Sequence, residues 1–339
     1  MGSNFGKISI FGESHGECIG VVIDGFPAGI PIDNVQISKD LLRRAGGRDE
    51  LSTPRAEKDN FRVVSGIFEG HSTGAPICII IPNEDTRSKD YLRDIARPNH
   101  ADYTAFVRYS GFNDYRGSGH FSGRLTAALV AAGSIAKQYL ATNNVFVGAH
   151  VYSIGDAFCS PLSDTDDSLP TGGISPLMHE QILAAKANSD SIGGVVEVKA
   201  IGVPVGFGDP MFNAVESVLS HILFAIPAVK GVEFGAGFDV SKMRGSEAND
   251  PLYIDGTVKT SSNTCGGICG GITNGMPIIA RVAFKPTPSI GIKQQSINMK
   301  TMQPAEIEVS GRHDPCIVPR AVPVVEAAVA IGLLEVLHG

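Results

Sequence analysis

LTAALVAAGSIAKQYLAT, residues 125–142, reads as a helix that is apolar on nearly every face up to Lys137. A helix without a polar stripe must be covered on more than one side. PRAVPVVEAAVAIGLLEVL, residues 319–337, makes the same demand, with few polar positions along its length. What covers two such helices is set by the strands. KISIF (7–11), CIGVVIDG (18–25), NFRVVSGIFEG (60–70), PICIIIPN (76–83), VFVGAHVYSIG (145–155), GGVVEVKAIGV (193–203) and PIIARVAFKP (277–286) mostly alternate, and several follow one another without a regular helix between them. Alternation and direct succession point to antiparallel sheets. The expected class is α+β, with largely apolar helices packed between antiparallel sheets. Shorter helices are expected at SKDLLRRA (38–45), capped by Ser38 and closed by Gly46 and Gly47, and at PLMHEQILAAKAN (176–188) and AVESVLSHILFAI (214–226). With no internal repeat and no low-complexity linker, residues 1–339 are expected to form a single domain.

The chain has 339 residues, 43% of them hydrophobic, so it can bury a sizeable core. Its net charge of −7 argues against nucleic acid as a partner. Within that acidic chain, Arg43, Arg44, Arg48 and Arg55 are concentrated in one short stretch. Two of them close the helix and project towards a loop that carries the others, a pattern that fits a small-anion site and a solvated turn equally. Six cysteines are scattered, and Cys265 and Cys269 form the only close pair. A core of this size needs no disulfide framework, and no second pair completes a zinc site, so all six are expected as reduced thiols and no metal is expected. MGSNFGKISIF lacks a charged-then-apolar signal, and no apolar run looks long enough to span a membrane. No membrane partner is expected, and a cytoplasmic location is.

GESHG, residues 12–16, fits the Gly-x-Ser-x-Gly pattern of an esterase nucleophile. That elbow requires a strand, a sharp turn and then a helix. Here ECIGVVIDG, which follows, is strand-like. The glycines more plausibly bend the backbone so that Ser14 and His15 both face a ligand. Residues 96–124 are rich in Gly, Arg, His and Asp with little apolar periodicity, and a stretch of that kind tends to be functional.

GESHGECIGVVIDGFPAGIP, RPNHADYT, RGSGHFSGRLTA, GGICGGITNGMPIIARVAFKPTPSI and GRHDPCIVPRAVP, taken in order, resemble the chorismate synthase family across essentially the whole chain. The resemblance implies a β-α-β sandwich, a homotetramer, and elimination of phosphate from 5-enolpyruvylshikimate 3-phosphate to give chorismate, with reduced FMN required and no net redox change. By the same resemblance, His15 stands beside the reduced flavin and His100 protonates the departing phosphate. Asp314 takes part in proton removal, and Ser14 and Ser122 supply hydroxyl groups. Arg43, Arg44, Arg48, Arg55, Arg97 and Arg124 match substrate-binding positions, and guanidinium forks suit a ligand with two carboxylates and a phosphate. Flavin contacts carry over to His120, Phe121, Ser122, Pro227, Ala228, Gly270, Lys285, Pro286, Thr287, Pro288, Ser289 and Arg312.

The second motif departs from the commoner family pattern, which has Arg-Ser-Ser-Ala-Arg-Glu-Thr where this chain has His120 to Thr126. His120 replaces a guanidinium only while protonated, so its presence is expected to make activity more pH-sensitive. NADPH, used directly or through an external flavin reductase, is the expected reductant. No GxGxxG marks an intrinsic nicotinamide site. His71, His150, His179, His221 and His338 are isolated, and ordinary structural roles are expected for them. His313, next to Asp314, stays open between the two readings.

Overall fold

A computed structural model describes residues 7–47, 50–52, 55, 57–86, 88, 91–159, 164–170, 173–309 and 314–338. Two antiparallel sheets enclose a helical layer. The first has the strand order Ile8–Gly12, Cys18–Ile23, Ile77–Pro82, Arg62–Ser65. The second runs Val229–Phe234, Ile278–Phe284, Gly194–Ile201, Phe146–Ile154, Ala157–Phe158. The helices are α1 (Asn34–Arg44), α2 (Asp102–Arg108), α3 (Thr126–Thr142), α4 (Pro176–Ala187), α5 (Val215–Phe224), α6 (Gly245–Ala248) and α7 (Val318–His338).

The α+β sandwich read from the sequence is the observed one. Helix α3 packs on α7, on the strands Cys18–Ile23 and Ile77–Pro82 of the first sheet, and on Phe146–Ile154 of the second. The first sheet buries alternate residues towards it: Ile19, Val21 and Ile23 from one strand, Ile77, Ile79 and Ile81 from the next. One hydrophobic cluster runs through both sheets and the helices, from Ile19 to Leu334. The α3–α7 crossing depends on Gly133, where an added Cβ would stand 2.2 Å from Ala327 Cβ. Any larger residue there forces the two helices apart.

Three expectations need correction. Helix α1 starts earlier than predicted: Asp33 is the cap, its side chain accepting from Val35 N, while Ser38 lies within the helix and donates to Asn34 O. Asp33 reaches the exposed amide first, so Ser38 has no capping vacancy to fill. Helix α2 falls inside the stretch expected to be irregular. It is short, and only Ala105 of it is buried, so it leaves almost no apolar period in the sequence. Finally, α7 is long and apolar enough by composition to cross a membrane, although it is mostly buried between the sheets.

A polar bolt holds the helical layer to the second sheet. Glu326 on α7 receives a two-pronged contact from Arg43 at 2.6 and 2.7 Å, a bond from Ala149 N at 3.1 Å and the Lys137 ammonium at 3.3 Å. Lys137 also meets Asp40 at 2.8 Å. A carboxylate this buried is tolerated because every neighbour is a donor.

Candidate active site

A cavity of about 810 Å³ opens where the first sheet, the C-terminal end of α5, the N-terminal end of α7 and the loop after strand Ile278–Phe284 converge. Among the predicted site residues, Arg44, Arg55, Arg97, His100, His120, Phe121, Ser122, Arg124, Pro227, Ala228, Lys285, Thr287, Pro288, Ser289 and Asp314 line it. These come from segments far apart in sequence, so the fold assembles the site.

Asp102, the first residue of α2, is the hub of one wall. It accepts from Arg97 Nε at 2.8 Å, Arg97 Nη2 at 2.7 Å and Arg97 N at 2.9 Å. Oδ1, which takes the Arg97 Nη2 bond, is shared with His100, whose Nδ1 lies 2.8 Å from it and 3.3 Å from Arg97 Nη2. One ring nitrogen cannot donate to the carboxylate and accept from the guanidinium at once. The shorter contact assigns the Nδ1 proton to Asp102 and leaves Nε2 as the proton-accepting position. Burial pushes the His100 pKa down; the Asp102 hydrogen bond opposes this and the Arg97 charge adds to it. Burial also works to raise the Asp102 carboxyl, but the bonds from Arg97 and His100 outweigh it and hold the group well below the carboxylate range. Arg97 reaches further, to Ser289 Oγ at 3.1 Å and Ser118 Oγ at 3.0 Å, joining the loop after strand Ile278–Phe284 to the Gly-Ser-Gly turn.

On the opposite wall Asp59 lies between two buried guanidinium groups. Arg124 Nη1 bonds its Oδ1, and Arg44 Nη1 stands 3.6 Å from Oδ2. Arg124 also donates to Asn83 Oδ1 and Pro82 O, and Arg44 to Thr126 Oγ1 and Gly123 O. Burial, then the neighbouring Arg320 charge, pushes the Arg44 pKa down to about 9, so it stays cationic at neutral pH. Arg320 Nη1 donates to Asp314 Oδ2 at 2.5 Å and its Nε to Arg44 O. The carboxylate expected to move a proton is thereby fixed in orientation. Ser122 caps the short 3₁₀ turn before α3 by accepting from Arg124 N.

Ser14 and His15 are not among the cavity's lining residues and lie directly behind Gly117. The backbone at Gly117, Ser118 and Gly119 has φ of 57, 72 and 52°, and this left-handed run closes over them. An added Cβ at Gly117 would stand 2.4 Å from His15 Cδ2 and 2.5 Å from Nε2, so only glycine permits the cover. Ser14 is fully buried, its Oγ accepting from Arg55 Nη1 at 3.0 Å and its N donating to Gly119 O. Arg55 is in turn held by Glu57 at 2.7 Å. His15 Nδ1 lies 2.9 Å from Ser88 Oγ, and its ring meets Tyr91 edge-on. His120 Nδ1 donates to Gly12 O at 2.9 Å, which clips the two glycine motifs together.

Other predicted residues are not brought to this wall. Arg43 points away, held by Glu326, because the terminal turn of α1 sends consecutive side chains in different directions. Gly270 lies on the hairpin Ile268–Cys269/Ile272–Thr273, and neither it nor Pro286 is among the cavity's lining residues. Arg48, Arg312 and His313 lie outside the described residues. The sequence reading passed over Asp102, Arg320, Asp59, Glu57 and Tyr91. Two of these carried a signal: Asp102 sits two positions from His100 in RPNHAD, and Arg320 is a lone guanidinium at the head of an otherwise apolar helix.

Fold and cavity together describe a pocket in which arginines and a carboxylate-oriented histidine are gathered from distant segments. Residues 7–337 match the family model for chorismate synthase. A chorismate synthase of Pyrococcus abyssi is 48% identical over 97% of this chain and 95% of its own length. One from Dehalococcoides mccartyi, strain BAV1, is 46% identical over 99% and 96%. A solved structure described as the crystal structure of chorismate synthase superposes with a TM-score of 0.75 at 28% identity, covering 98% of this chain and 91% of that one. The chain belongs to the chorismate synthase family, whose enzymes are lyases of the shikimate pathway to the aromatic amino acids.

Proposed function

We propose that the protein eliminates phosphate from 5-enolpyruvylshikimate 3-phosphate to give chorismate, by a 1,4-anti course, with reduced FMN bound in the same cavity. The observation that carries the reading is the Arg97–Asp102–His100 unit: an imidazole oriented by a carboxylate, its pKa pushed down by burial, on the wall of a cavity rich in arginine. The residues also fit FMN. Thr287 Oγ1 is buried and has no hydrogen-bond partner among the described residues, and it lies on the same loop as Lys285. Burial and then Lys230 lower the Lys285 pKa, and a bound phosphate would offset both. Lys285, Thr287 and Ser289 would hold the cofactor phosphate, with Phe121 and the Pro227–Ala228 backbone against the ring. When bound, the reduced flavin lends electron density to the substrate as phosphate leaves.

This chain's own residues do the rest. Arg44, Arg97 and Arg124 stabilise charge on the departing phosphate, each contributing roughly 3 kcal/mol in a closed site. His100 gains a proton at Nε2 when the anionic substrate arrives and passes it to the leaving group. Asp314, oriented by Arg320, takes up the proton lost from the ring. Ser14 and His15 support the floor from behind Gly117. Arg48 and Arg312 are proposed as further substrate and flavin contacts, Ser122 and His120 as contacts through the turn they shape.

Residues 1–339 act as one domain in the cytoplasm, and NADPH reduces the flavin, directly or through a separate reductase. The assembly is a homotetramer. Exposed Met211, Phe212, Phe238 and Ile254 support that reading, since large apolar side chains at the surface call for a covering copy. Anaerobic incubation with the substrate and chemically reduced FMN should release phosphate and form chorismate in equal amounts. Folded protein that releases no phosphate would refute the assignment.

A further inference from the structure

The hairpin Ile268–Cys269/Ile272–Thr273 carries chemistry that the elimination does not use. Cys269 Sγ lies 3.5 Å from Cys265 Sγ, and both are free thiols. Asn274 Nδ2 donates towards both sulfurs, at 3.5 and 3.6 Å. We propose that Cys265 and Cys269 are an oxidative modification site, a dithiol that takes a low-molecular-weight disulfide as oxidant and closes to an intramolecular disulfide.

Three features support this. The sulfurs already touch, so closing to a bond of about 2.05 Å requires an approach of only about 1.5 Å. The intervening Gly266 and Gly267, with φ of 68 and 82°, turn the chain tightly enough to bring both sulfurs together. Exposure is also divided in the way exchange needs. Cys269 is exposed and meets the oxidant first, while Cys265 is half-buried behind it. Burial, then Asp250 and Cys269, push the Cys265 thiol up to about 12, which makes it a poor first attacker. A metal site is a poorer account, since no group of three His, Cys, Asp or Glu is placed for one among the described residues.

The exchange balances in two steps. The Cys269 thiolate attacks one sulfur of the oxidant, forming a mixed disulfide and expelling one thiolate. Cys265 then loses its proton and attacks Cys269 Sγ, forming the protein disulfide and expelling the second thiolate. The two thiol protons end on the two expelled thiolates. Two protein thiols are oxidised and one small disulfide is reduced to two thiols.

Full-length protein incubated with excess oxidised glutathione, then denatured and alkylated, tests this by intact mass. Wild type should alkylate at two fewer positions than its six cysteines, retain no glutathione, and regain both thiols on treatment with dithiothreitol. Peptide mapping should place the bond between Cys265 and Cys269, and Cys265→Ser should instead hold glutathione on Cys269. Wild type that alkylates at all six positions, keeps glutathione on Cys269, or bonds a different pair would overturn the proposal.

Discussion

Replacing Asp102 with asparagine tests the central wall of the site. The carboxylate accepts three bonds from Arg97 and one from His100, all between 2.7 and 2.9 Å. An amide of the same shape has one acceptor atom and one donor atom. An oxygen at the Oδ2 position keeps Arg97 N and Nε and presents NH₂ at the Oδ1 position to Arg97 Nη2 and His100 Nδ1; the ring nitrogen must then accept, so its proton moves to Nε2. The change also removes the negative charge that stabilises an imidazolium. Charged hydrogen bonds contribute about 1.5–3 kcal/mol against about 1 for neutral ones, so two weakened contacts cost roughly 3 kcal/mol where His100 is cationic. That corresponds to about a hundredfold in kcat/KM, at 1.36 kcal/mol per decade.

The sign of the pH effect follows from the same geometry. Loss of a neighbouring carboxylate lowers the His100 pKa further, so the limb that needs protonated His100 moves to lower pH. Two measurements separate this from simple damage. The pH profile of phosphate release should shift in the variant, and Asp102→Glu should recover part of it. ¹⁵N NMR of the substrate-free protein should show the His100 proton on Nδ1 in wild type and on Nε2 in the variant. A variant with unchanged tautomer and an unshifted profile, whatever its rate, would refute the reasoning.

Acid should destabilise the protein through the same residue. The Asp102 carboxyl is held below its ordinary value, so its contribution is complete above about pH 4 and lost as pH falls through the folded value. Urea midpoints between pH 5 and 3 should fall less steeply for Asp102→Asn than for wild type. Gly117→Ala places a methyl against His15 at a left-handed φ, and should lower stability by about 2–4 kcal/mol in urea titration, or displace His15. Arg43→Ala should cost about 1–2 kcal/mol in stability, because Glu326 keeps Lys137 and Ala149 N, while the KM for substrate changes less than about twofold. His120→Arg should flatten the pH-rate profile, and an unchanged profile would show that the imidazole bonded to Gly12 O has no bearing on it.

The layered fold was readable because burial writes itself into periodicity. An apolar stretch at 125–142 without a polar stripe has few solutions other than enclosure on both sides, and Ile19, Val21 and Ile23 mark the covering strand every second residue. Side-chain direction was not readable. Arg43 and Arg44 are adjacent, and one anchors Glu326 while the other joins the cavity. Only the packed orientation of α1 decides between them. The position of Ser14 and His15 behind Gly117 was not readable either, since nothing local in GESHG announces that a turn a hundred residues later will fold over it. Asp102 was missed for the opposite reason: it stands beside a residue that drew attention, and a neighbouring carboxylate only acquires meaning once its hydrogen bonds are seen.

An acidic protein that gathers arginines must keep them from repelling one another before the substrate arrives. Among the described residues each guanidinium at the cavity has a carboxylate: Arg55 has Glu57, Arg97 has Asp102, Arg320 has Asp314, and Arg44 and Arg124 share Asp59. The shared aspartate matters most, because it leaves that wall one positive charge in excess, and Lys285 adds another on the facing loop. The carboxylates therefore do two things at once. They hold the planar forks in fixed directions, which lowers the ordering cost of binding, and they cancel most but not all of the charge. Under the proposed function, recognition rests on the fixed directions of these forks more than on bulk attraction. The site is consequently expected to respond to geometry, as in Asp102→Asn, more sharply than to salt.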